Sequence, residues 1–453
     1  MNWTLLSLTL SAALAAPLSS ARDDLRSAIE SRAQALEELV AQSDAASLRA
    51  FADEHLSPAM REGRTTDELV ALLADVRARC RNAGGIDLCL LGEAGFRLAF
   101  ETDRGAWAVE VQLEPRPPHR IDALVLVEDE VARPPALPPI TWDTLEARLD
   151  EAEESGFAGA VLVVRDGAVV THRGLGLADR ARGVPNSTET VFAIGSTPID
   201  FTKAAILKLQ EEGRLSVADP ITRFLPDVPA DKRGIRLEHL MNGTSGLRNF
   251  HHVPGVDEDY DLTWIDRDTA VGRILSRPLL FAPGTGEAHS HSAWGLLAAV
   301  VEIASKQDYA DYLRERFFEP AGMRRTGLYE ESRAYADALA AGYGGNVPTP
   351  VNTPAHWGPT SWLVMGSGGM VSNPGDLYRW MQAIRSGGLL SEASQELYWT
   401  GSVLAGGNDR GFLCVYTEHP GGPGDLVILC SNSHASPNDY ASALARALVR
   451  LVR

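Results

Sequence analysis

The chain is short of positive charge. Its 42 Lys and Arg stand against 60 Asp and Glu, a formal net charge of −18. That balance argues against nucleic acid or an anionic membrane as a partner and suits a protein that stays dispersed. No stretch is apolar over about 18 residues, so no membrane span is expected. No Gly-x-Gly-x-x-Gly opens a helix after a strand and no Cys-x-x-Cys is present. Nothing therefore implies a nucleotide, flavin or haem, and no cofactor is expected. Internal repeats and low-complexity tracts are missing too. Cysteine is scarce: Cys80, Cys89, Cys414 and Cys430 are the four. None lies near the start, which excludes a lipid anchor through cysteine at a leader.

What is present is globular material. Apolar residues make up 45% of the 453 residues and charged residues 23%, enough for two or three domains. Residues 1–21 carry no charged side chain. Leu5 to Ala16 is a short apolar block, too short to span a bilayer, and Ala13-Leu14-Ala15 is a small-x-small cleavage pattern. This reads as a secretory signal and predicts a secreted or periplasmic protein. In that compartment two close cysteine pairs predict disulfides, Cys80–Cys89 and Cys414–Cys430. The second pair brackets His419-Pro-Gly-Gly-Pro-Gly-Asp425 symmetrically and so faces itself across a hairpin.

Residues 22–130 form a first domain. Asp23 to Val40, Ser47 to Ala52 and Thr66 to Cys80 carry apolar residues every three or four positions, the helical period. The period then falls to two over Ile86 to Leu91, Gly95 to Glu101, Trp107 to Leu113 and Ile121 to Val127, a strand meander. Helices before an antiparallel sheet make a small α+β domain. With Glu114-Pro-Arg-Pro-Pro-His119 it resembles the cystatin-like or NTF2-like domain that precedes some exported serine hydrolases. Residues 131–140, with Arg133-Pro-Pro-Ala-Leu-Pro-Pro139, are a stiff linker.

Residues 141–453 carry the chemistry. A helix from Trp142 is followed by a hairpin, Gly159 to Arg165 and Ala168 to Gly174, around Asp166-Gly167. Ser292 to Ala304 is a mostly apolar core helix. Gly411 to Thr417 and Leu426 to Ser431 are strands, and Tyr440 to Arg453 is a closing helix. Strands at both ends with helices between them predict an α/β sandwich with an antiparallel sheet. Within it, Val191 to Ile194 runs extended into Gly195 and Ser196, where a helix starts and runs to Glu212. A serine there sits beside outward-pointing N–H groups at the positive end of the helix dipole, a good seat for a nucleophile. Thr197 as N-cap, Pro198 at the first helical position and Asp200 at the third also read as a capping arrangement.

These residues carry a family resemblance. Phe192-Ala-Ile-Gly-Ser196, the run Leu207 to Leu225, His239-Leu240 with Thr244-Ser-Gly-Leu247, Phe281-Ala-Pro-Gly284, Phe318-Glu-Pro-Ala-Gly-Met323 and Gly368-Gly-Met-Val-Ser372 with Asp376-Leu377 and Trp380 resemble the serine beta-lactamase and penicillin-binding protein superfamily, class C beta-lactamase and esterase branch. The resemblance implies that superfamily's sandwich fold and acyl transfer at Ser196. It also exposes three departures. Ser-x-x-Lys reads Ser196-Thr197-Pro198-Ile199. Tyr-x-Asn reads His289-Ser290-His291. The third motif, Lys-Thr-Gly or His-x-Gly, aligns with Leu404-Ala405-Gly406, which has no basic group.

A serine hydroxyl needs a base within hydrogen-bond reach, and Ile199 cannot be one. Lys203 shares its face but lies roughly 10 Å further along the axis, beyond direct contact. His289, in the tyrosine's place, is the expected substitute: a Ser196–His289 dyad, with the Ser196 N–H and Gly406 or Gly407 as oxyanion donors. Two readings follow. In the first, the three losses together mark an impaired or non-catalytic member acting on a ligand or an envelope protein partner, and His289 and His291 merely line a cleft. In the second, the protein is an active esterase- or peptidase-type hydrolase of a small-molecule ester, amide or peptide. Weighed together, the losses favour the first. A minor third reading gathers His251, His252, His289 and His291 around a metal ion.

Overall fold

The computed structural model describes residues 25, 28–29, 31–40, 45–81, 85–91, 94–102, 105–128, 137–248, 263–343, 352–399, 406–418, 425–434 and 439–452. The leader expected over 1–21, most of the linker, His251, His252, Leu404 and Ala405 lie outside these residues. The described chain divides into two units, one ending at 128 and the other beginning at 137.

In the first unit, helices α1 (31–40), α2 (Ala45–His55) and α3 (Thr66–Cys80) precede four antiparallel strands in sequence order, β1 (Gly85–Leu91), β2 (Gly95–Thr102), β3 (Gly105–Leu113) and β4 (Ile121–Glu128). Helix α3 starts at a capping box: the Thr65 hydroxyl accepts the Glu68 N–H at 3.2 Å, and the Glu68 carboxylate accepts the Thr65 N–H at 2.7 Å. Its residues Leu69, Leu73 and Val76 then recur on one face and are buried with Phe96, Leu98, Phe100, Val109 and Val111, alternate residues of β2 and β3. A period of 3.6 thus meets a period of two across one core, giving the α+β layering read in the sequence.

The second unit is built on β5 (Gly159–Arg165). Ala160, Leu162 and Val164 belong to one core cluster, and Val161 and Val163 to another. A strand buried on both faces must be sandwiched. It pairs with β6 (Ala168–Leu175) on one side and with β9 (Leu426–Ser431) on the other, and β9 pairs with β8 (Phe412–Glu418) and β8 with the edge strand β7 (Gly406–Asp409). All five are antiparallel. Helices α4 (Leu145–Glu154) and α8 (Tyr440–Leu451) cover one face, with Leu149, Leu444 and Leu448 buried against Val161, Val163 and Leu429. The other face carries α7 (Pro374–Arg385) and α5 (Pro198–Glu211), and α6 (His291–Ser305) packs in turn on α5.

Helix α5 is the axle of this layer. Phe201, Ala204, Ala205, Ile206, Leu207 and Leu209 are buried almost all the way round it, the pattern of a helix enclosed by protein. Phe201 meets Trp380 and Phe318 edge-on, with ring centroids 4.7 and 5.2 Å apart. Each such aromatic contact adds about 0.5–1.5 kcal/mol beyond burial, so the start of α5 is held firmly. Among the described residues no helix is long and apolar enough to cross a membrane.

The disulfide expectation is corrected. Cys414 and Cys430 do stand opposite one another across β8 and β9, but their sulfurs are 3.8 Å apart, well beyond the roughly 2.05 Å of a bond. Both are free thiols, as is Cys80, so neither the Cys414–Cys430 nor the Cys80–Cys89 bridge is formed. All three lie within the apolar cores. Burial pushes the Cys80 thiol up to about 12 and raises Cys430 well above the ordinary thiol range, so little thiolate is available for exchange.

Candidate active site

Ser196 is placed by two glycines that press backbone against backbone. Phe192–Ala193 pairs with Met370–Ser372, and Gly195 then turns the chain with φ +53°, a conformation glycine adopts without penalty. A Cβ at Gly195 would come within 2.5 Å of the Gly407 carbonyl carbon and 2.9 Å of the Asn408 nitrogen; one at Gly407 would lie 2.1 Å from the Ser196 nitrogen. Neither position has room for a side chain.

The register of β7 decides which N–H groups face this turn. Its hairpin with β8 has a two-residue loop, Arg410-Gly411, with φ +46° and +94°, as a type I′ turn requires. Asp409 and Phe412 are then a hydrogen-bonded pair, Asn408 and Leu413 are not, and Gly407 and Cys414 are again. The Asn408 N–H and C=O consequently point off the open edge of β7, towards the Gly195–Ser196 turn. The Asn408 nitrogen thus stands beside the turn that carries the Ser196 nitrogen. This differs from the expected Gly406 or Gly407: the Gly407 backbone is engaged by β8, and its part is to let the strand come close.

The side chain that reaches Ser196 is His291, not His289. Its Nε2 lies 3.1 Å from the Ser196 Oγ. His291 is the first residue of α6, whose N-cap Ser290 accepts the Ala293 N–H at 3.3 Å. Ser290 is extended, with φ −146° and ψ 110°, so His289 and His291 project to the same side. His289 stands behind, exposed, its Nε2 3.5 Å from that of His291 and its ring nearly perpendicular at 88°. Both histidines were visible in the sequence; their order from the serine depends on where α6 begins. Among the described residues no group of three or more His, Cys, Asp or Glu is placed to hold a metal ion.

One turn into α5, Ile199 occupies the place of a base and packs, half-buried, on the core. Lys203 is buried two turns along, its Nζ 5.8 Å from the centre of the Tyr398 ring. Burial holds its ammonium below the usual lysine range, against the pull of Asp200. The capping role expected for Thr197 and Asp200 is corrected. Thr197 makes no side-chain cap bond; its hydroxyl is turned to the Cys414 sulfur, 3.6 Å away. Asp200 points into the core, where the Tyr416 hydroxyl of β8 donates to it, and burial pushes its carboxyl up to about 7. The tie between Asp200 and Tyr416 went unseen in the sequence because its partners are 216 residues apart.

A cation does follow β7, namely Arg410, but its charge is engaged. The guanidinium donates to Asp409 Oδ1 at 2.7 Å and lies 4.5 Å over the Trp357 ring, while the Tyr329 hydroxyl donates to Asp409 Oδ2. Both members of the pair are buried.

Residues 143–421 match the family described as beta-lactamase. The chain is 31% identical over 253 residues to the putative penicillin-binding protein PbpX of Bacillus subtilis, covering 55% of this chain and 60% of that protein. It is 33% identical over 222 residues to the esterase EstB of Burkholderia gladioli, covering 46% of this chain and 56% of that one. The chain thus spans less than two thirds of either relative. Among solved structures, a penicillin-binding protein from Bacillus halodurans superposes with a TM-score of 0.57 at 23% identity, over 67% of this chain and 98% of that one, a likeness of fold.

Proposed function

The chain belongs to the beta-lactamase family, and from that premise we propose that it is a serine acyl hydrolase in which His291 replaces the family's lysine as general base. The observation that carries this reading is the 3.1 Å contact between Ser196 Oγ and His291 Nε2.

In the proposed cycle Ser196 Oγ attacks an ester or amide carbonyl while His291 Nε2 takes its proton. The carbonyl oxygen gains charge between the Ser196 and Asn408 N–H groups. The tetrahedral adduct collapses, and His291 returns the proton to the departing alcohol or amine. Water then attacks the acyl-serine with His291 again as base, and the acid is released as the serine recovers its proton. A positioned base contributes about 10²–10⁴-fold and one oxyanion donor about 10²–10³-fold. The engagement of Arg410 by Asp409 favours uncharged esters over substrates recognised by a free carboxylate. Residues 1–21 extend the proposal to an exported protein.

A second reading, a non-catalytic member that binds a ligand or an envelope partner, is favoured by Ile199 in the lysine's seat. One measurement separates the two. A fluorophosphonate probe is expected to label Ser196, with labelling lost in Ser196→Ala and slowed at least 100-fold in His291→Ala. A folded wild-type protein that takes up no probe would overturn the hydrolase reading in favour of the second.

A further inference from the structure

The distance between Ser196 and β7 is not fixed by the residues that meet there. Gly407 and Ser196 approach through backbone alone, and β7 is an edge strand held on one side only, by β8. The contacts that lock β8 to the start of α5 therefore set the approach. Phe201 anchors α5 to Trp380 and Phe318, helical residues outside the sheet, and so leaves that distance open.

Two polar contacts cross from β8 to the first turn of α5. Cys414 and Tyr416 are alternate residues of β8 and share a face, the one buried in the core around α5. The Thr197 hydroxyl meets the Cys414 sulfur at 3.6 Å, and the Tyr416 hydroxyl donates to the Asp200 carboxyl. Thr197 and Asp200, three positions apart, lie on one face of the helix start. Cys414 is in turn the register partner of Gly407. The contacts close a circuit from Ser196 through Gly407 and Cys414 to Thr197, braced one turn further in by Tyr416 and Asp200. These two are only 2% and 4% exposed, so water does not replace a lost partner.

We propose that Asp200 and Tyr416 are positioning residues for acyl transfer at Ser196, their bond holding β8, and β7 with it, against the start of α5. The proposal rests on the hydrolase reading. Neither side chain touches the substrate. Loosening the tie lets strand and serine drift apart, and misplacing a reacting group by about 1 Å costs on the order of 10²-fold. The loss falls on the acylation step rather than on binding.

The test follows fluorophosphonate labelling of the full chain against probe concentration at pH 6, where the Asp200 carboxyl still carries its proton. Tyr416→Phe removes the hydroxyl and keeps the ring. Its limiting labelling rate is expected to fall at least about tenfold, with the half-saturating concentration unchanged. Asp200→Leu is expected to match it, the double variant to be no slower than either single one, and Asp200→Asn, which keeps an acceptor, to restore most of the rate. Hydrogen exchange in residues 406–409 is expected to quicken in Tyr416→Phe, with residues 159–165 unchanged. A Tyr416→Phe protein that labels at the wild-type limiting rate overturns the proposal. So does exchange quickened equally in both segments, the mark of a general loss of stability. Should Asp200→Leu fail to fold, the comparison of Tyr416→Phe with Asp200→Asn still decides. If the wild type is not labelled at all, the hydrolase reading fails, while the exchange comparison still decides whether the tie holds β7.

Discussion

Gly407 lies so close over Ser196 that a Cβ on it would sit 2.1 Å from the serine's amide nitrogen. Contact at that range cannot be relieved by a rotamer change, because both partners are backbone. The Gly407→Ala substitution is therefore expected to push β7 away from the turn and displace the Asn408 N–H. Loss of one oxyanion donor costs about 10²–10³-fold, and that loss should appear as slowed probe labelling. Stability should fall by only about 1–3 kcal/mol, the usual cost of overpacking, as read by denaturant unfolding. Labelling at the wild-type rate would refute the placement of the oxyanion cradle.

Ile199 supplies a gain-of-function test. It lies three residues after Ser196, on the same helix face, and is only half-buried. Placing Ile199→Lys in a His291→Ala background returns a base to that face. Recovery of at least about tenfold in the labelling rate is expected, within the range a positioned base supplies. No recovery would mean that the seat lacks more than a base.

Asp200 gives a pH signature. Its carboxyl is pushed from 3.8 to about 7 by burial, with the Lys203 charge opposing. The folded state thus holds this proton more tightly than the unfolded state. Its contribution to stability is full below about pH 4 and is lost as pH rises through 7, on the order of 4 kcal/mol in all. Lys203 acts oppositely: held below its usual range, it gives stability back as pH rises towards 10.5. Asp200→Asn keeps an acceptor for Tyr416 and removes the first limb. Thermal melts between pH 4 and 8 should then be flatter than in the wild type, with the variant the more stable above pH 7. Parallel curves for the two proteins would contradict the buried, proton-retaining carboxyl.

The thiols are directly countable. Denatured without reductant, the protein should take up at least three equivalents of iodoacetamide, at Cys80, Cys414 and Cys430. Peptide mapping that shows Cys414 joined to Cys430 would refute the free-thiol assignment.

Periodicity made most of the fold legible. Thr66 to Cys80 and Leu426 to Ser431 end where their patterns end, because one repeating face or one buried run defines each. The seat of Ser196 was legible as well, since a glycine with positive φ before a helix is a local feature. What the sequence could not order was the approach of distant parts. The choice of His291 over His289 turns on a single helix boundary. Asn408 enters through hairpin register rather than side-chain identity. Asp200 looked like a capping residue because its spacing from Thr197 suits a cap, and only Tyr416, arriving from another layer, turns it inward. The Cys414–Cys430 pairing was right in position and wrong in chemistry: facing across two strands sets a distance, not a bond.

The approach of β7 to the Ser196 turn is main chain against main chain, set by Gly195 and Gly407. Side chains at Ile199 or His289 take no part in that contact. The backbone seat of the serine and the side chains beside it are therefore separable, and each can be altered by substitution with the other left in place.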